Sequence, residues 1–158
     1  MQPIIECVPN FSEGRNLQTI KAITDAIESV EGIRLLDVDP GKATNRTVVT
    51  LVGSPDDVIE AAFRGIQKAS TLIDMRNHTG EHPRMGATDV CPLIPISGIS
   101  MEETAVYAKK LAKRVAEELH IPTYLYEYAQ SNPDRNNLSV IRARSEEHTS
   151  ELQSRFGI

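Results

Sequence analysis

The chain has 158 residues, 40% apolar and 25% charged, with 9 glycines, 9 prolines and no tryptophan. That is one domain's worth of chain, able to bury a core without disulfides or metal, and its composition is neither disordered nor fibrous. The formal charge of −5 argues against a nucleic-acid or anionic-membrane surface, and no apolar run approaches the ~20 residues of a bilayer span. The start MQPIIECVPN lacks the form of a secretory signal. Cys7 and Cys91 cannot make a disulfide framework, so a cytoplasmic setting is expected.

Pro3 to Val8 reads as a short buried strand, stopped at Pro9-Asn10 and followed by a loop Phe11-Ser12-Glu13-Gly14. Leu17, Ile20, Ile23, Ile27 and Val30 recur at helical spacing, and Gly32 stands where a C-terminal cap belongs. Ile33 to Val38 is a second strand, ended by the turn signal Asp39-Pro40-Gly41-Lys42, and Thr47 to Val52 is a third, rich in β-branched residues. Ser54, Pro55, Asp56 and Asp57 open a helix whose apolar stripe runs from Ile59 to Ile73. Asp74 to Thr88 has no periodicity. Asp89 to Ile96 is strand, with Pro92 and Pro95 marking it as an edge or irregular one. Ser100 to Glu103 is a capping box that opens a helix running to Leu119. Ile121 to Tyr126 is a last strand, and a short helical pattern lies near Leu138 to Arg142. The order is β-α-β-β-α-β followed by α-β, which predicts an α+β sandwich of the ferredoxin-like kind extended by one helix and strand.

The segment 144–158 breaks every trend before it. Arg144 to Ser154 resembles the in-frame translation of a sequencing-library adapter, so residues 1–143 are taken as the native part of a truncated gene and 144–158 as a foreign tail.

The stretch from Asn77 to Asp89 gathers His78, Glu81, His82, Arg84 and Asp89 between apolar elements. Three readings compete. His82 is a general base or acid, oriented or assisted by Glu81, Arg84 or Asp89. Alternatively, His78 and His82 bind a metal with Glu81 or Asp89, although Gly80 and Pro83 disfavour the helix that this spacing wants. The third reading is a polar, solvated loop. A second cluster sits at strand ends: Asn10, Ser12, Glu13 and Arg15 after the first strand, and Asp37, Asp39, Asn45 and Arg46 around the hairpin. Asn and Arg there suit a carboxylate-bearing substrate, whereas ordinary turn chemistry accounts for the same residues. Cys7 and Cys91 read as small buried hydrophobes.

Three long motifs carry a resemblance: ECVPNFSEG at Glu6 to Gly14, LLDVDPGKATNRTVVTLVG at Leu35 to Gly53, and GEHPRMGATDVCPLIPI at Gly80 to Ile96. They resemble the N-terminal part of the glutamate formimidoyltransferases. The resemblance implies transfer of a formimino group from N-formimino-L-glutamate to N5 of tetrahydrofolate in histidine degradation, in the cytoplasm. Tetrahydrofolate is then a co-substrate, and no metal is needed. It also implies a catalytic His82, with Arg84, Arg46 and Asn45 as candidates to hold substrate beside Asn10 and Asp39. The family's transferase domain has two facing halves, so this chain is expected to be one half, with an open apolar sheet face and little activity alone. A homodimer is implied for the full-length protein, and a fused deaminase domain is left open. A non-catalytic small-molecule-binding module and a formylglutamate-dependent formyltransferase are the alternatives.

Overall fold

The computed structural model describes residues 2–74, 86–125 and 156–157. His82, Arg84, His78 and Glu81 lie outside the described residues, as do Tyr126, the helical pattern at Leu138 to Arg142 and the stretch Arg144 to Ser154.

β1 (Ile4–Cys7) and β2 (Asn10–Phe11) form one strand broken by Val8-Pro9. They run antiparallel to β4 (Arg46–Gly53), with Cys7 opposite Leu51 and Asn10 opposite Val48, three residues on each side, so the break causes no slip. Pro9 has no N–H to give, but its carbonyl accepts from Val49 N at 3.0 Å and keeps the ladder closed. The strand therefore outlasts the Pro9-Asn10 stop read from the sequence. It continues through Phe11, whose ring is buried in the core.

β5 (Thr88–Val90) and β6 (Leu93–Ser97) repeat the device on the other side, broken at Cys91-Pro92 and bridged by Val8 N to Pro92 O at 3.1 Å. The sequence predicts an edge or irregular strand there, and the irregularity falls at Pro92, which lacks the donor that an unbroken ladder needs. Among the described residues β3 (Ile33–Gly41) pairs only with β4, with a bulge between Leu35 and Asp37. It runs past Asp39-Pro40-Gly41, and the reversal falls instead on 42–45. Pro40 is tolerated because β3 is an edge. The four long strands thus lie in the order 88–97, 4–11, 46–53, 33–41, all antiparallel to their neighbours. β7 (Thr123–Tyr124) and β8 (Phe156–Gly157) extend the sheet beyond β5 through parallel pairs. β7 is shorter than the strand expected from Ile121 to Tyr126.

Alternation along β4 buries Thr47, Val49 and Leu51 on one face, opposite Phe11, Pro9 and Cys7. The helices cover that face. α1 (Leu17–Glu28) is capped by Asn16, whose side chain accepts from the N–H groups of Gln18 and Thr19. It ends at Ser29, so Gly32 is not its cap; a Cβ there would meet a carboxylate oxygen of Asp57 at 1.9 Å, and Gly32 serves close packing instead. α2 (Pro55–Leu72) carries Val58, Ile59, Ala62, Phe63, Ile66 and Ala69 into the core. Its predicted cap, Ser54, donates to Asp57 Oδ2 at 2.8 Å instead of accepting from the backbone.

α3 (Met101–Arg114) opens with the expected capping box between Ser100 and Glu103. It runs into one wide turn over Val115–Leu119, and His120 ends it in the left-handed region at φ 58°. Ala108, Leu111, Ala112 and Val115 join the same core as Ile5, Leu51 and Ile66. Among the described residues the helices all lie on one side. The opposite sheet face is left with Ile4, Ile94 and Ile96 exposed, the last at 52%. The result is a two-layer α+β domain.

Candidate active site

The sheet face that carries no helix among the described residues holds three of the six predicted site residues, Asn10, Asp39 and Arg46. Asn10 and Asp39 stand on either side of Val48, each paired with it across the sheet. All three point away from the helices, because their neighbours Phe11, Val49 and Val38 point towards them. Two strand spacings separate the backbones of Asn10 and Asp39 by roughly 10 Å. Arg46 is two residues from Val48 on the same face. Asp39 is exposed, while Asn10 is partly buried and donates weakly to Val8 O at 3.4 Å.

Arg46 is held, not loose. Its Nη2 lies 2.8 Å from Oδ2 of Asp89, whose side chain is wholly buried while that of Arg46 is 16% exposed. A carboxylate inside an apolar strand demands such a partner, since a buried unpaired charge is very costly. Asp89 therefore faces Arg46, 43 positions away, a pairing that sequence reading did not make. The signal for it was present: an acid flanked by Ala87, Val90 and Cys91. Thr88 beside it is buried, and its hydroxyl has no hydrogen-bond partner among the described residues.

Asn45 has a different place from Arg46. It closes the 42–45 turn in the left-handed region at φ 50°, which asparagine tolerates better than most residues. Its Oδ1 accepts from Gly14 N at 2.9 Å. Gly14 presses so close to the hairpin that a Cβ would come 2.1 Å from Gly41 O and 2.6 Å from Arg46 N. Thr47 Oγ1 adds a bond to Glu13 O. The loop 12–16 is thus strapped to the 41–47 hairpin, and the loop's own acid, Glu13, accepts from the N–H groups of Arg15 and Asn16 at 2.9 Å each. Arg15 reaches Lys42 O at 2.9 Å through Nε.

Ser12 joins this platform to the far side of the sheet. Its Oγ donates to Gly86 O at 2.7 Å and its N–H to Ala87 O at 2.8 Å. Gly86 and Ala87 are thereby fixed to the loop that follows β2. The structure thus brings Asn10, Asp39 and Arg46 to one face and turns Asn45 to the loop at its edge. His82 and Arg84 lie outside the described residues. Among the described residues no group of three or more His, Cys, Asp or Glu side chains could hold a metal ion, and no helix is long and apolar enough to cross a membrane.

Fold and site together define an α+β domain whose sheet is covered by helices on one side and whose other face carries Asn10, Asp39 and Arg46 beside exposed isoleucines. Residues 4–156 match the family described as "Formiminotransferase domain, N-terminal subdomain", and the chain belongs to that family. It is 55% identical over 143 residues to the formimidoyltransferase-cyclodeaminase of Rattus norvegicus, covering 90% of this chain and 26% of that protein. It is 47% identical over 142 residues to the glutamate formimidoyltransferase of Thermoplasma acidophilum and 46% over 142 residues to that of Streptococcus pyogenes serotype M1. Those matches cover 90% of this chain and 47% and 48% of the relatives. The chain thus spans about a quarter of the cyclodeaminase-named relatives and about half of the glutamate formimidoyltransferases.

Proposed function

We propose that this chain supplies one lobe of a glutamate formimidoyltransferase, which moves the formimino group of N-formimino-L-glutamate to N5 of tetrahydrofolate in histidine degradation. The observation that carries the reading is the gathering of Asn10, Asp39 and Arg46 on one sheet face, the face that carries no helix among the described residues. The relatives' names, formimidoyltransferase-cyclodeaminase and glutamate formimidoyltransferase, support the class of group transferred.

In this reading N5 attacks the formimino carbon and a C–N bond forms. The nitrogen then gives up its proton, the tetrahedral adduct collapses, and the bond to the glutamate nitrogen breaks as that nitrogen is protonated. His82 takes the first proton and returns one to the leaving nitrogen, a task for a group titrating near neutrality. Arg46 and Arg84 hold carboxylates, while Asn10 and Asp39 bind the polar amidine and amide groups; Asn45 holds the 12–16 loop through Gly14 N instead. Tetrahydrofolate is a co-substrate, and the step as written requires no metal.

The fold reading goes with it. The strand order 88–97, 4–11, 46–53, 33–41 with α1 and α2 as crossovers supports a ferredoxin-like sandwich. The exposed Ile4, Ile94 and Ile96 support a second lobe seated on the bare face, in a longer cytoplasmic protein that is a homodimer. Residues 144–158 are proposed to be a foreign tail, on the strength of the sequence Arg144 to Ser154. The family match nevertheless runs to residue 156, and Phe156–Gly157 pairs with β5 and β7. Truncation after Ala143 with an unchanged melting temperature supports the tail reading, and a fall of several degrees refutes it.

The function is tested in a full-length protein carrying this domain. His82→Ala is expected to abolish turnover while folate binding, followed by fluorescence, persists. Unchanged turnover refutes the assignment of His82 and favours a binding module. Turnover at the full-length rate by the 158-residue chain alone refutes the two-lobe reading.

A further inference from the structure

The proposed transferase reading makes no use of the cysteines, yet the fold brings them together. Cys7 Sγ and Cys91 Sγ lie 3.4 Å apart across 84 positions of sequence, and both residues are fully buried. Cys7 ends β1 opposite Leu93, so Cys91 is its diagonal neighbour across the sheet. Cys91 belongs to neither β5 nor β6. It occupies the break between them, where Pro92 offers no N–H to the ladder and Val8 N holds Pro92 O at 3.1 Å. The hydrogen bond with Cys91 and burial push the Cys7 thiol well above its ordinary range, which disfavours its thiolate in the closed fold.

We propose that Cys7 and Cys91 are a redox modification site, closing into an intramolecular disulfide that staples the first strand of the sheet to the segment leading out of the histidine motif. The sulfurs must approach by about 1.4 Å to reach the ~2.05 Å of an S–S bond. The Cys91-Pro92 link, held to the neighbouring strand through Pro92 O and not through an N–H of Pro92, is the part of the backbone able to supply that movement. The oxidant is a small-molecule disulfide such as oxidised glutathione. One cysteine thiolate attacks a sulfur of that disulfide and expels one thiolate, giving a mixed disulfide. The second cysteine thiolate attacks the protein sulfur of the mixed disulfide and expels the other thiolate. The pair loses two protons and two electrons, and one oxidised glutathione becomes two thiols. Access comes through local opening at the break between β5 and β6, so the reaction is slow in the closed state.

The test uses the unaltered 158-residue chain. It is incubated, folded, with oxidised glutathione; free thiols are then alkylated, and the chain is digested with trypsin for mass spectrometry. The expected product joins the peptide Met1–Arg15 to the peptide Met85–Lys109 at two hydrogens less than their summed mass. The oxidised chain stays monomeric on a non-reducing gel. Its melting temperature rises and returns to the starting value with dithiothreitol. Any other result overturns the proposal: both cysteines alkylated after prolonged exposure, glutathione retained on either one, disulfide-linked dimers, or a crosslinked chain that melts no higher than the reduced one.

Discussion

Separating Arg46 from Asp89 is expected to be among the more damaging single changes on the sheet face. The pair is 2.8 Å apart, with Asp89 wholly buried and Arg46 16% exposed, so solvent does not screen it as it would a surface pair. Removing one partner of a buried pair costs about 3–5 kcal/mol, because the other charge is left without compensation. The two sides are not equivalent. Without Arg46 the carboxylate remains inside an apolar strand, whereas without Asp89 the long arginine can swing its head towards solvent. Arg46→Met is therefore expected to cost about 3–4 kcal/mol and Asp89→Leu about 2. The double variant is expected to recover at least ~1.5 kcal/mol of the summed loss, since it leaves no buried charge behind. Urea denaturation followed by far-ultraviolet circular dichroism measures all four proteins, with constant slopes confirming that the same surface is exposed. Single variants within ~0.5 kcal/mol of the parent, or a cycle additive to within that margin, would refute the reasoning.

Two further outcomes follow from close packing. Gly14→Ala places a Cβ 2.1 Å from Gly41 O and 2.6 Å from Arg46 N, both backbone atoms, and is expected to cost about 1–3 kcal/mol in the same titration. A cost of zero would mean that the loop is not pinned to the hairpin. Arg114 stacks 3.8 Å above the ring centroid of Phe63 and lies 3.1 Å from Glu60, bracing α3 against α2. Its ion pairs are about a third or more exposed, so most of the ~1 kcal/mol expected from Arg114→Ala comes from the stacking and the covered side-chain stem. Arg114→Lys, which keeps the charge but not the planar group, should lose most of the same stability in thermal melts. Full retention by lysine would show that charge alone holds the contact.

Local physics made the elements legible in the sequence. The Ser100–Glu103 capping box, the β-branched run of β4 and the helical stripe of α2 each act within a few residues, and each stands where it was expected. The errors fall where a neighbour on the sheet overrules local chemistry. Pro9-Asn10 reads as a stop, but Val49 N needs an acceptor and finds it in Pro9 O, so the strand resumes. Asp39-Pro40-Gly41 reads as a turn, yet on an edge strand the missing N–H of Pro40 can face outward and the ladder continues. Gly32 reads as a cap, but α1 has already ended at Ser29, and the small residue serves the approach of Asp57.

The site follows the same division. Alternation within one strand assigns Asn10, Arg46 and Asp39 to a face, and each parity can be read from the buried neighbours alone. Pairing between strands cannot be read that way, because it depends on register across dozens of residues. That is why Arg46 was legible as a candidate and its bond to Asp89 was not. One element of the pairing was still open to inference. An ionised side chain set among Ala87, Val90 and Cys91 has to be neutralised by something, and the cation must come from an adjacent strand. With Asn10 of the neighbouring strand lying between Val90 and Val48, the nearest β4 candidate is the arginine two residues from Val48, which is Arg46. The burial cost of Asp89 thus ties the start of β4 to β5, and it places Arg46 at the junction of the two.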